Sequence, residues 1–216
     1  MNKKLMVWII TTAIAWIIIY FAGGGISFIL KSLGVLYLYT WAIWFLVIIS
    51  YRAKGSPSKY HRQQTLILTL SSMIMVPFII IPPWEFSQFS GPIPRDGYAA
   101  WIGIIIFAIG VFIQFLSMRA LQSGFGARLS VKRSQPLITS IPYNIIRHPG
   151  YFSHILAMLG ASLAMSSILG ILMIFLLIPL LVIRINDEEA MLLKVFGRKY
   201  SNYQKKTKWR MLPFVY

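Results

Sequence analysis

Apolar residues in this chain run in blocks too long for a strand or for an amphipathic surface helix, and charge is confined to the gaps between them. A helix advances about 1.5 Å per residue, so a hydrocarbon layer of about 30 Å is crossed by roughly 20 apolar residues. Four blocks suit a single pass: Leu5 to Phe21, extending toward Leu30, then Val35 to Tyr51, Thr65 to Pro83 and Ala99 to Met118. A fifth, Tyr151 to Ile183, holds 33 residues without Lys, Arg, Asp or Glu. As one straight helix it would reach about 50 Å, well beyond one bilayer, so the pattern predicts that it folds back on itself. The stretch "MSSILG", Met165 to Gly170, supplies the small residues for the turn. The predicted fold is an all-α polytopic membrane helix bundle of about six crossings, including this C-terminal helical hairpin.

Beyond Ile183 the pattern changes. Asp187 to Phe196 has an amphipathic helical rhythm, Gly197 is a stop signal, and a second short helical piece follows at Tyr200 to Lys206. The closing "KKTKWRMLPF" mixes basic and aromatic residues, a composition suited to an anionic leaflet. These segments predict a small cytoplasmic cap. The chain divides into N-terminal spans, residues 1–118, and a core of loop, hairpin and C-terminal helices, residues 119–216.

Composition sharpens the reading. With 57% hydrophobic and 12% charged residues among 216, the chain lies far from a soluble domain, where about 25% are charged. A net charge of +16 would suit nucleic acid, but the cations sort by side of the membrane instead. Nineteen of the 21 Lys and Arg fall at the N-terminus, in the loop from Arg52 to Arg62, between Arg119 and Arg147, or from Arg184 onward; only Lys31 and Arg95 fall elsewhere. The positive-inside bias therefore predicts cytoplasmic termini. The start "MNKKLMVWIITTAIAW" has leader-like features, but its apolar run continues to Phe21, which predicts a retained first span. With no cysteine and three scattered histidines, a metal centre is not expected. Tyr37, Trp41, Tyr98 and Trp101 read as interfacial belt residues, and "PPWEFSQFSGPIPRDG" reads as an ordered or extended outer connector.

Two places carry candidate chemistry. Asp187, Glu188 and Glu189 are three of only five acids, and they follow Arg184 directly after the hairpin. On a helix, positions 184, 187 and 188 share a face while Glu189 points elsewhere. This is either a solvated helix start favoured by the dipole or a cation and anion paired at membrane depth for a ligand. The second place is "RHP". Pro149 fits the first turn of a helix and pushes His148 toward an extended conformation, with Arg147 free to snorkel to headgroups. His154, one turn further on, reads first as a structural hydrogen-bonder. The loop, the RHP start and the acidic exit all bracket one hairpin on the same side, which favours a shared site.

The run "PLITSIPYNIIRHPGYFSHILAMLG" and, after the hairpin, "RINDEEAMLLKVFGRKYSNYQKKTKWRMLPF" resembles the isoprenylcysteine carboxyl methyltransferase family and its phospholipid methyltransferase relatives, over roughly the last 90 residues. The resemblance implies an integral membrane enzyme that uses S-adenosylmethionine without a Rossmann domain. By position, Gln135, Pro136, Leu137, Ile138, Tyr143, His148, Pro149, Gly150 and Tyr151 match the family's cofactor-binding elements. Glu188 matches its cofactor-contacting glutamate, and Arg184 the arginine beside the substrate, so Arg184 and Glu188 are the expected catalytic pair. The implied acceptor is a lipophilic small molecule or prenylated compound in the lipid phase, a carboxyl group in the first instance, with no nucleic acid and no metal involved. A phospholipid amine or lipid hydroxyl is the alternative acceptor. An inactive scaffold of the same family and a nicotinamide-dependent reductase are the competing functions.

Overall fold

A computed structural model describes residues 3–30, 32–51, 62–88, 97–121 and 136–212. In chain order its helices are α1 (Lys3–Ala22), α2 (Ile26–Ile29), α3 (Ser32–Tyr51), α4 (Arg62–Phe78), α5 (Ile81–Gln88), α6 (Tyr98–Leu121), α7 (Pro149–Ala164), α8 (Ile168–Phe196) and α9 (Arg198–Lys206), with no strand among the described residues. Five stretches are long and apolar enough to cross a membrane: Lys3–Ala22, Leu33–Tyr51, Thr69–Gln88, Tyr98–Leu121 and Ile168–Phe196. Their outward faces carry large apolar side chains in the open, among them Phe21, Phe112, Phe175 and Leu176, as lipid contact requires.

The hairpin forms where the charge-free run predicted it. Helix α7 ends at Ala164, and Ser167 caps α8 by accepting a hydrogen bond from the Gly170 amide at 2.9 Å. Sixteen residues give α7 a length of about 24 Å, so it falls short of a full crossing, whereas α8 runs on past the charge-free stretch and is long enough to cross. Helix α7 lies antiparallel to α6 at close range, because glycines remove the side chains between them. A Cβ on Gly160 would stand 2.2 Å from the Phe107 amide nitrogen, and one on Gly103 would stand 2.3 Å from that of Ala164. This contact sets the start of α7 beside the end of α6, so Tyr143 can donate a hydrogen bond to the Ser117 carbonyl at 3.4 Å.

Several expectations change. The first span stops at Ala22 rather than running toward Leu30, because Gly24 and Gly25 adopt φ of 92° and 74°, which side chains disfavour. The span predicted over Thr65 to Pro83 breaks into α4 and α5 just after Pro77. Residues 82–88 of the predicted outer connector are helical, with Pro82 and Pro83 in the first turn of α5, where missing amide hydrogens cost little. Its residues 89–96, with Arg95 and Asp96, lie outside the described residues, as does Lys31. Tyr37 and Trp41 are not belt residues: they are 0% and 5% exposed in the bundle core against Phe107. Tyr98 and Trp101 are exposed, as interfacial residues are. Finally, α8 is unbroken from Ile168 to Phe196, so Asp187, Glu188 and Glu189 stand in its last third and not at a new N-terminus.

Candidate active site

The RHP start and the acidic exit meet. His148, ahead of α7, and Glu189, late in α8, are joined by an Nε2 to Oε1 distance of 3.1 Å, while the other imidazole nitrogen faces Glu188 Oε2 at 3.6 Å. With a carboxylate opposite each ring nitrogen, both nitrogens are best satisfied as N–H groups. Burial by itself would lower the pKa of His148, but the hydrogen bonds and charges of Glu188 and Glu189 outweigh it and hold the group above its ordinary value.

The two glutamates differ in what surrounds them. Glu189 is the hub of a buried ion-pair cluster, with Arg147 donating from Nε at 2.7 Å and Arg210 Nη2 at 3.2 Å. Gln204 adds a bond at 3.4 Å from α9. Arg147 also donates from Nη1 to the Thr207 and Lys208 carbonyls, both at 2.8 Å. The backbone follows, since the Arg147 and His148 amides donate to the Trp209 and Arg210 carbonyls at 2.9 and 2.7 Å. The end of the chain is thereby clamped across the loop that starts α7. Arg147, predicted to snorkel, is instead buried and held by Glu189 and two backbone carbonyls.

Glu188 keeps 28% of its side chain exposed against 6% for Glu189, so it is the carboxylate with a face left for a ligand. It accepts a 2.9 Å hydrogen bond from the Tyr151 hydroxyl, which in turn accepts one from Arg184 Nε at 2.8 Å. Arg184 and Glu188, which share a face of α8, are thereby linked through Tyr151 of α7. The Tyr151 ring stacks on that of His148 with centroids 5.8 Å apart and planes 24° off parallel. A cation, an anion and two aromatic faces therefore line one corner where α7 meets α8.

The other residues expected at the site are placed less centrally. Tyr143 bridges the scaffold, its carbonyl accepting from Tyr203 at 2.6 Å; burial first, and then the nearby Glu188 charge, raise its phenol well above the usual range. Pro149 opens α7 and is buried, and Gly150 follows it half-buried. Pro136 is exposed, and Leu137 and Ile138 half-buried, in the segment leading to the turn at Tyr143. Gln135 lies outside the described residues. Sequence reasoning set Glu189 aside and missed Arg210 and Gln204. The available signal was that three consecutive helical acids cannot face one way, so one of them must meet the basic C-terminal segment.

No curated protein matches the chain. The family model of phospholipid methyltransferase, which belongs to the same group of membrane methyltransferases as isoprenylcysteine carboxyl methyltransferase, matches residues 98–199, from the start of α6 through the hairpin into α9, and supports a membrane methyltransferase.

Proposed function

We propose that the chain transfers a methyl group from S-adenosylmethionine to an acceptor dissolved in the lipid phase, with residues 119–216 as the catalytic core and the polar corner facing the cytoplasm. The observation that carries this reading is the half-open Glu188 carboxylate held between His148, Tyr151 and Arg184 at the polar end of an apolar hairpin. The corner suits the donor: Glu188 offers an anion to cationic groups, and the stacked His148 and Tyr151 rings give aromatic surface. When bound, S-adenosylmethionine supplies an electrophilic methyl group on a sulfonium.

The chain's own residues then have simple duties. Methyl transfer is an in-line displacement with no enzyme-bound intermediate, so orientation and exclusion of water dominate. Glu189, Arg147 and Arg210 hold the cap closed, and Tyr151 ties Glu188 to Arg184 so that binding and transfer share one rigid element. A carboxylate acceptor is the first form of the reading: it is already ionised, needs no base, and would be oriented by Arg184. An amine or hydroxyl is the second form, and the placement of His154 favours it.

The test is incubation of membranes containing the protein with methyl-labelled S-adenosylmethionine, followed by mass spectrometry of the lipid fraction. Label in a lipid product that disappears with Arg184→Ala, while S-adenosylhomocysteine affinity persists, is the expected result. Absence of label with the folded wild-type protein contradicts the reading.

A further inference from the structure

His154 lies one turn beyond Tyr151 on α7 and is half-buried. Its Nδ1 stands 2.6 Å from the Gly150 carbonyl oxygen. A carbonyl can only accept, so Nδ1 carries the hydrogen and the neutral ring keeps its lone pair on Nε2. Among the described residues Nε2 has no hydrogen-bond partner. The ring packs T-shaped against Trp44 of α3, with centroids 4.9 Å apart and planes at 82°. The groups around it are few. Helix α8 presents Arg184, whose charge reaches the ring, α3 presents the uncharged Trp44, and α7 contributes Tyr151, already bound to Glu188 and Arg184.

From this geometry we infer that His154 is the proton acceptor for the lipid-borne methyl acceptor, whose reacting group is therefore an amine or hydroxyl. The inference rests on the methyltransferase reading and selects its second form. In the step, the acceptor's nitrogen or oxygen bonds to the methyl carbon as the carbon–sulfur bond breaks, and sulfur keeps that electron pair. The proton on the nucleophile passes to Nε2, while the Nδ1 hydrogen stays on the Gly150 carbonyl. The imidazolium then releases its proton toward the polar end of the site. A carboxylate acceptor would leave this residue without a task.

The decisive variant is His154→Asn, because an asparagine amide occupies the Nδ1 position and retains the donor to Gly150 while removing the Nε2 lone pair. The full-length protein in detergent is supplied with the lipid extract of its own host membranes and methyl-labelled S-adenosylmethionine. The expected wild-type product keeps its label through mild alkali, which cleaves methyl esters but not N-methyl or ether bonds. In His154→Asn, kcat is expected to fall about 100-fold, the acidic limb of the pH–rate profile to disappear, and added imidazole to restore part of the rate, with S-adenosylhomocysteine affinity unchanged. An alkali-labile product, or an Asn variant with wild-type rate and pH profile, overturns the inference and leaves the methyltransferase reading standing. Loss of S-adenosylhomocysteine binding in the variant also overturns it, by making His154 part of the fold or the donor site. A wild-type protein that neither binds S-adenosylhomocysteine nor transfers label brings down both.

Discussion

The hairpin is pinned by buried carboxylates at both ends, and the two ends are built differently. At the tip, Glu85 of α5 accepts from the Ser167 hydroxyl at 2.6 Å and from the Ile168 and Leu169 amides at 3.2 and 3.0 Å. All its partners are neutral groups at the start of α8, where amides lack intrahelical acceptors and the helix dipole favours an anion. At the open end, Glu188 and Glu189 meet Arg147, His148 and Arg210, and one carboxylate keeps an exposed face. The tip is a saturated cap with nothing to offer a ligand. The open end has more charge than its own structure consumes, and that surplus is what a binding site needs.

Removing the hub of the open end should have the largest effect. Glu189→Ala leaves the buried Arg147 guanidinium without its carboxylate and takes one of two carboxylates from His148, and is expected to cost about 3–5 kcal/mol, read as a lowered unfolding midpoint in detergent and loss of activity with it. Glu85→Ala should cost less, about 1–3 kcal/mol, by stranding the Ser167, Ile168 and Leu169 donors. The protein that remains folded should bind S-adenosylhomocysteine as the wild type does. Glu188→Gln should invert that pattern, with the midpoint retained and affinity reduced about tenfold, equivalent to about 1.4 kcal/mol. Tyr151→Phe is smaller still, about 1 kcal/mol of stability from the broken Glu188 to Arg184 bridge, measured by the same melt.

The ends should also separate by pH. His148 is held above its ordinary pKa of 6.5, so its contribution is fully present below that value and is lost as pH climbs through the raised one. The unfolding midpoint should therefore fall on the alkaline side in the wild type, and the slope should flatten in His148→Gln. The Glu85→Ala variant should keep the slope, because the tip contains no imidazole.

Much of the fold was legible because spans and hairpin are set by apolar length, which the bilayer makes a hard constraint. The site was partly legible: His148, Tyr151, Arg184 and Glu188 converge, since each lies at an end of the same charge-free run. Other features were hidden by the logic of periodicity itself. Composition cannot distinguish an aromatic at a lipid interface from one at a bundle centre, so Tyr37 and Trp41 were misplaced. Glu189 was dismissed on helix-face grounds that considered only α8, whereas its partners come from the loop before α7 and the returning C-terminal segment. Glu85 looked like loop polarity, although a lone acid between Trp84 and Phe86 in an apolar stretch was a hint of a buried acceptor.

The most direct measurement is a calorimetric titration of S-adenosylhomocysteine into the purified wild-type, Glu85→Ala and Glu188→Gln proteins. Saturable binding is predicted in the first two, with a clear loss of affinity in the third while its unfolding midpoint is kept. No saturable binding by the folded wild-type protein, or equal weakening by the two variants, would contradict a donor site at the open end of the hairpin.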